Sequence, residues 1–330
     1  MKDSIVKNIL VNTRAFFTVN VRRRLNEVST KEAKLEEIVE ASSDQLLAVK
    51  SYYAYLHLMD YYARHEMEAQ QYKKELGYLR ELGKFCNFPY ELQSEQIIVE
   101  SGFDEVARLP YVIHRNKKLY FKADYAVQEA EETYKNYLLV ERLLGIEDQE
   151  NTPHQYQSPR VHVDEGDVVF DIGAAEGLFA LDQVEKASHV VIVESDREWM
   201  EPLKHTFSPY EDKVSFVQNC VSVADTENTV SLEKLMSIVD YSSAFVKMDI
   251  EGAELPSIAA AGPFLKQKKG VKLAIASYHK QHDAEEMESF FKKIGYTSEF
   301  SNGFMLFHLF DTPISPYFRK GIIRAVNQNN

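Results

Sequence analysis

Five polar residues stand at or just past the ends of apolar runs of the kind that form buried strands. They are Asp171, Glu194, Asn219, Asp249 and His279. Carboxylates, an amide and an imidazole can bind hydroxyl groups, hold a cation or accept a proton. In open parallel sheets, ligands bind beyond the carboxyl ends of the strands. We therefore expect these side chains to gather at one edge of a sheet and to form a binding site there.

A loop of small residues follows the first of these runs, Val168–Phe170. It extends from Asp171 to Gly177, and an apolar pattern typical of a helix begins at Leu178. Gly173 can adopt backbone angles that a side chain would forbid. Gly177, like Ala174 and Ala175, lets the backbone come close to a ligand. Strand, tight glycine turn and helix together predict a nucleotide-binding unit.

The details of this loop disfavour a dinucleotide site. Its glycines have the spacing Gly-x-x-x-Gly, and an acid, Asp171, stands two residues before Gly173. A dinucleotide needs a free helix N-terminus for its pyrophosphate. An acid beside the loop suits instead a ligand with an ammonium group and no phosphate, such as S-adenosylmethionine. Glu194, at the end of the next strand, occupies the place where a carboxylate binds ribose hydroxyls.

Composition limits the function classes. The chain has 330 residues, two cysteines and a formal net charge of −13. This charge disfavours nucleic acid or an anionic membrane surface as the main partner. The cysteines form neither a disulfide framework nor a zinc motif, so we expect a reducing, cytoplasmic setting. We also expect no secretory signal and no membrane span.

The chain order predicts three regions. Residues 1–150 are predicted to be mainly helical, with a short hairpin between Tyr111 and Phe121. The polar stretch Glu147–Ser158 is the predicted linker. Residues 155–315 alternate strands and helices, which predicts a parallel sheet. Residues 316–330 are interpreted as a basic tail.

One antiparallel strand is expected near the C-terminal end of the sheet. Asn302-Gly303 separates two strand-like runs, Tyr296–Phe300 and Phe304–Phe310. Asn-Gly between such runs is typical of a β-hairpin.

The segment Val246–Glu254, Val-Lys-Met-Asp-Ile-Glu-Gly-Ala-Glu, resembles the signature of the FkbM family of S-adenosylmethionine-dependent methyltransferases. The glycine loop, Glu194-Ser195-Asp196 and Tyr278-His279-Lys280 also resemble that family. The resemblance covers roughly residues 155–310. It implies an α/β class I methyltransferase (Rossmann-like) fold with seven strands, the last antiparallel. It also implies S-adenosylmethionine as cofactor and a hydroxyl of a sugar or secondary metabolite as methyl acceptor. The common family loop has Asn where this chain has Ala175.

On this interpretation the loop, Glu194 and Asn219 bind the cofactor. Asp249 either orients the acceptor, accepts its proton or caps the next helix. His279 is the candidate general base because its ordinary pKa lies near neutrality. Glu251 is a further catalytic candidate. Asp249, Glu251 and His279 could hold Mg²⁺, but no compact ligand motif supports this, and we expect no metal.

Two other functions remain open. The chain could be a non-catalytic nucleotide-binding or scaffolding protein that uses its helical region for partners. An NAD-dependent oxidoreductase is disfavoured by Asp171 and the glycine spacing. The expected acceptor is a small molecule or glycan, and the N-terminal helices offer a surface for a homo-oligomer.

Overall fold

The computed structural model describes residues 49–90, 97–143, 152–307 and 315–327. The helical prediction for residues 1–48 lies outside this part. The chain divides into two compact units. The described part of the first is residues 49–60 with Gly83–Phe85, and the second comprises Tyr61–Leu82 and the chain from Cys86. No helix in the described part is long and apolar enough to span a bilayer.

The N-terminal elements are helices and a small sheet. The helices are residues 49–64 (α1), Glu66–Ala69 (α2), Lys73–Leu82 (α3) and Val127–Leu138 (α4), which continues into a π-helical turn, Leu139–Leu143. The antiparallel sheet comprises Ser101–Asp104 (β1), Leu109–His114 (β2) and Lys117–Tyr120 (β3). Arg115 and Asn116 both have positive φ between β2 and β3, as a tight hairpin turn requires. The predicted hairpin is therefore confirmed.

Alternating strands and helices follow. The strands are Val168–Ile172 (β4), His189–Val193 (β5), Val214–Val217 (β6), Cys220–Ser222 (β7), Thr229–Ser231 (β8), Ala244–Met248 (β9), Val271–Ala276 (β10), Tyr296–Phe300 (β11) and Ile322–Asn327 (β12). The helices are Leu178–Gln183 (α5), Arg197–Phe207 (α6), Leu232–Leu235 (α7), Glu254–Ala260 (α8), Gly262–Gln267 (α9) and Asp283–Ile294 (α10).

Seven of these strands form one sheet, in the order β11-β12-β10-β9-β4-β5-β6. All pairs are parallel except those of β12, which runs antiparallel to both β10 and β11. Every residue of β4, β9 and β10 is buried, because apolar clusters cover both faces of the sheet. This is the predicted fold class, a Rossmann-like sheet of seven strands with an antiparallel last strand.

The antiparallel strand lies elsewhere in the chain than predicted. Residues 304–307 form no strand and make only one bridge, Met305 with Arg319, while 308–310 lie outside the described part. The antiparallel strand is instead β12, inside the segment interpreted as a basic tail. Arg324, on β12, is buried and donates to the carbonyls of Gln157 and Phe300. The segment interpreted as a basic tail therefore contains a strand of the large sheet, with a buried arginine that contacts backbone carbonyls and the carboxylate of Glu299.

Strands β2 and β3 and helix α4 pack on the same core as the large sheet. Val112 of β2 and Phe121 belong to the cluster that also contains Val169 of β4. His114 Nε2 lies 2.7 Å from a carboxylate oxygen of Asp182. Residues 144–151 lie outside the described part, so the domain boundary near residue 150 stays a prediction.

Candidate active site

A cavity of about 800 Å³ lies at the carboxyl ends of β4, β5, β6 and β9. Its lining includes seven of the residues predicted from the sequence: Gly173, Ala174, Ala175, Glu194, Asn219, Asp249 and Glu251. The strand order brings these residues together, because β4 lies between β9 and β5. The predicted gathering of polar groups at one edge of the sheet is thus present. Asp171, Gly177 and His279 are not among the lining residues.

The glycine loop is held tightly against β9. Gly173 has φ +72°, and a Cβ at this position would overlap the carbonyl oxygen of Asp249. Gly177 has φ +84° and stands at the N-terminus of α5, where a Cβ would lie 2.7 Å from Leu203 Cδ2 of α6. The close approach at Gly177 is therefore to a packed helix and not, as expected, to a ligand. Gly173, Ala174 and Ala175 form the surface of the loop that faces the cavity.

Asp171 does not line the cavity, and its carboxylate contacts residues next to the glycine loop. One carboxylate oxygen lies 3.1 Å from Lys247 Nζ, and the other accepts the backbone N–H of Ala180 at 3.1 Å. Lys247 also donates to the carbonyl of Gly173. Burial raises the pKa of Asp171, and the neighbouring ammonium opposes that shift. Asp171, predicted to lie beside a cofactor ammonium, does not line the cavity, and its carboxylate instead contacts Lys247 and the backbone of α5.

Glu194 is fixed in place by backbone donors. Its Oε2 accepts the N–H of Ala175 and its Oε1 accepts the N–H of Asp196, each at 2.8 Å. A carboxylate has about four lone-pair positions, so these two bonds leave room for further donors. Because Glu194 lines the cavity, this arrangement can accept bonds from two neighbouring hydroxyl groups of a ribose.

Asp249 is surrounded by donors. Its Oδ2 accepts the hydroxyl of Tyr156 at 2.8 Å and that of Tyr278 at 3.1 Å, and it lies 3.2 Å from His154 Nε2. Burial favours the neutral acid, but His154, His279 and Lys247 outweigh it and hold the pKa of Asp249 well below its usual range. The carboxylate therefore stays ionised and is a weak proton acceptor. It is suited to orienting a hydroxyl group.

His279 lies behind Asp249 and is buried among three carboxylates. Its Nε2 is 3.4 Å from both Asp249 Oδ1 and Glu251 Oε2, and its Nδ1 is 3.1 Å from Glu254 Oε1. Burial alone would lower the pKa of His279, yet the carboxylates raise it to about 10. The predicted general base is therefore protonated at neutral pH and does not line the cavity.

Two further acidic residues, Glu141 and Glu176, line the cavity. Glu176 belongs to the glycine loop, and Glu141 belongs to the π-helical turn after α4. Glu176 is 4% exposed, and burial together with the charge of Glu141 raises its pKa to about 8. Glu176 was not among the site residues predicted from the sequence. A charged residue between Ala175 and the helix was the signal that could have drawn attention to it.

Two further cavity residues were missed because they lie in the predicted linker. His154 and Tyr156 line the cavity, and both contact Asp249, which is distant in sequence. Tyr156 is 4% exposed. A histidine and a tyrosine within a polar stretch are typical of a loop. Their contacts with Asp249 join residues that are distant in sequence, so the local pattern could not reveal them.

No family model matches this chain, and no curated protein matches it. Solved structures do match. The methyltransferase FkbM from Methylobacillus flagellatus KT is 21% identical over 52% of this chain and 46% of that chain, with a TM-score of 0.40. Precorrin-6y C5,15-methyltransferase from Geobacter metallireducens is 13% identical over 50% and 82%, with a TM-score of 0.35. Trm5b from Pyrococcus abyssi is 14% identical over 66% and 55%, also with a TM-score of 0.35. This chain thus spans less than half of the FkbM structure.

Proposed function

We propose that this chain is an S-adenosylmethionine-dependent methyltransferase of FkbM type that methylates a hydroxyl of a sugar or secondary metabolite. One observation carries the proposal. The Glu194 carboxylate is bonded to the backbone of the glycine loop and shares a single cavity with Asp249. Ribose recognition and acceptor orientation would therefore occur side by side.

The cofactor fits the charges of the cavity. Glu194 would bind the ribose hydroxyls, and Asn219, which follows β6 and also lines the cavity, would bind another part of the cofactor. Glu141 and Glu176 line the wall near the loop. Glu176 is mostly neutral in the ligand-free protein because its pKa is raised to about 8, and a bound ammonium group would favour its ionised form. S-adenosylmethionine, when bound, supplies an activated methyl group for in-line displacement by the acceptor oxygen.

The residues around Asp249 would bind the acceptor. The ionised Asp249 accepts a hydrogen bond from the acceptor hydroxyl and so fixes its oxygen for attack. Tyr156 and Tyr278 hold the carboxylate in one position. Phe88 and Phe307 also line the cavity and offer apolar surface to a ring or chain beside the reacting hydroxyl.

Calorimetric titration with S-adenosylhomocysteine and with NAD tests the cofactor class. We expect S-adenosylhomocysteine to bind and NAD not to bind. Glu194→Ala should weaken S-adenosylhomocysteine roughly 10- to 100-fold, because charged hydrogen bonds contribute roughly 1.5–3 kcal/mol. Glu198→Ala is the matched control, since Glu198 is exposed on α6 and outside the cavity lining.

Binding of NAD more tightly than S-adenosylhomocysteine would contradict the proposal. An affinity for S-adenosylhomocysteine that is unchanged in Glu194→Ala would also contradict it. Binding of S-adenosylhomocysteine without methyl transfer to any tested acceptor would favour the non-catalytic alternative.

A further inference from the structure

A lysine that follows the small antiparallel sheet lies beside the segment that carries Glu194. Lys122 comes after β3, and its Nζ donates to Asp196 Oδ2 at 2.6 Å and to Glu198 Oε2 at 3.2 Å. The Lys122 side chain is 15% exposed, whereas that of Glu198 is 69% exposed. A contact that is open to solvent contributes little to stability. The bond to Asp196 is therefore the one that can affect the site.

Asp196 connects this lysine with the carboxylate that we propose binds ribose. Asp196 is the N-cap of α6, and its Oδ1 accepts the N–H of Glu198 at 2.9 Å while its Oδ2 accepts from Lys122. The backbone N–H of Asp196 donates to Glu194 Oε1 at 2.8 Å. A continuous series of hydrogen bonds thus runs from the Lys122 ammonium through Asp196 to the Glu194 carboxylate in the cavity.

The segment that carries Lys122 is itself attached to α6. The backbone N–H of Tyr120, at the end of β3, donates to the hydroxyl of Thr206 at 3.0 Å. The rings of Phe121 and Trp199 meet edge to face, with their centroids 6.2 Å apart. Lys122 Nζ lies 5.1 Å from the centroid of the Trp199 ring, and Trp199 lines the cavity. These contacts restrict the position of the ammonium group and direct it toward the start of α6.

Both partners of this bond are charged at neutral pH. Burial would lower the pKa of Lys122, but Asp196 and Glu198 raise it. The bond from Lys122 holds the pKa of Asp196 below its ordinary value. Hydrogen bonds between charged partners are stronger than those between neutral groups. An uncharged residue in place of Lys122 would therefore leave Asp196 less firmly held.

We propose that Lys122 is a positioning residue for the cofactor site, which fixes Asp196 and, through its backbone N–H, the Glu194 carboxylate. The segment after the small antiparallel sheet would thereby determine how tightly the ribose is bound. The inference rests on the proposed function, because its effect is on the affinity for S-adenosylhomocysteine. Its effect on the backbone of residues 194–198 is measurable without any ligand.

Calorimetric titration with S-adenosylhomocysteine compares the wild-type chain with Lys122→Met, Asp196→Asn and the double variant. We expect Lys122→Met to weaken binding about three- to tenfold. Asn is also a good N-cap, so Asp196→Asn keeps the cap of α6 and removes the charge that Lys122 binds. Asp196→Asn should also weaken binding, and the double variant should bind no more weakly than Asp196→Asn, because both substitutions remove the same contact.

Lys118→Met is the matched control, because Lys118 makes the same kinds of contact away from the cavity. Lys118 lies on β3, and its Nζ is 2.7 Å from Asp104 Oδ2 and 4.3 Å from the centroid of the Tyr111 ring. None of these three residues lines the cavity. Lys118→Met should therefore bind S-adenosylhomocysteine as the wild type does.

Hydrogen exchange of residues 194–198, measured by mass spectrometry without ligand, should be faster in Lys122→Met and unchanged in Lys118→Met. Wild-type exchange in Lys122→Met would overturn the inference, and so would additive losses of affinity in the double variant. If the wild type binds S-adenosylhomocysteine and Lys122→Met binds it equally well, only the positioning role fails. If the wild type does not bind S-adenosylhomocysteine, the proposed function fails, and the effect of Lys122 on affinity fails with it.

Discussion

Glu176 shows how one buried acid can shape the chemistry of the cavity. Its carboxyl group is covered by the loop and is acted on by several charged neighbours. Glu141 and Asp171 favour its neutral form, and Lys247 opposes them. The pKa of about 8 means that the group is mostly neutral in the ligand-free protein at pH 7. A bound ammonium group would favour its ionised form.

The raised pKa of Glu176 predicts a pH-dependent stability. Between about pH 5 and pH 8 the unfolded chain releases this proton while the folded chain keeps it, so folding stability falls as pH rises. One pKa unit corresponds to 1.36 kcal/mol, so the loss across this window is about 3 kcal/mol. Glu176→Gln should therefore unfold much as the wild type does near pH 5 and be more stable near pH 8. Urea denaturation at both pH values measures the difference.

Glu165→Gln is the matched control for this variant, because Glu165 is exposed. It should give no such change between the two pH values. If Glu176→Gln differs from the wild type by the same amount at pH 5 and pH 8, the carboxyl group is not held neutral by the fold.

Among the strands, helices and loops, the sequence predicted those features that depend only on residues close together in the chain. The loop after β4, the strand ends that carry Glu194 and Asp249, and the β2–β3 hairpin all follow from short patterns. The antiparallel strand β12 could not be predicted from such a pattern. Its Arg324 is buried because it donates hydrogen bonds to carbonyls of segments that are distant in the chain. His154 was missed for the same reason, since nothing near it in sequence shows that Asp249 lies beside it.

The loop after β4 gives a prediction for a matched pair of glycines. Gly173 and Gly166 both have positive φ, but only Gly173 lies against other backbone, and a Cβ at Gly166 would have nothing within 4 Å. Gly166→Ala should therefore cost only the conformational strain, about 1–2 kcal/mol. Gly173→Ala must also displace the end of β9, and we expect a loss of at least about 3 kcal/mol. Urea denaturation compares the two.

Binding of S-adenosylhomocysteine should be retained in Gly166→Ala and lost in Gly173→Ala. Equal losses of stability in both variants would mean that the contact between the loop and Asp249 does not constrain this site.

At the scale of the whole molecule, the described cavity is built from segments far apart in the chain. The turn after α4 supplies Glu141, the segment before β4 supplies His154, and the sheet supplies Glu194 and Asp249. The first unit exposes an apolar stripe on α1 at helical spacing, formed by Val49, Tyr52, Tyr53 and Leu56. A homo-oligomer formed through the N-terminal helices stays a prediction.

The most direct test is a crystal structure of the full chain with S-adenosylhomocysteine. We expect both ribose hydroxyls to lie within about 2.5–3.0 Å of the Glu194 carboxylate. We also expect the sulfur to face the group formed by Asp249, Tyr156 and Tyr278. A ligand bound outside this cavity would contradict the proposed function, as would a ribose that makes no contact with Glu194.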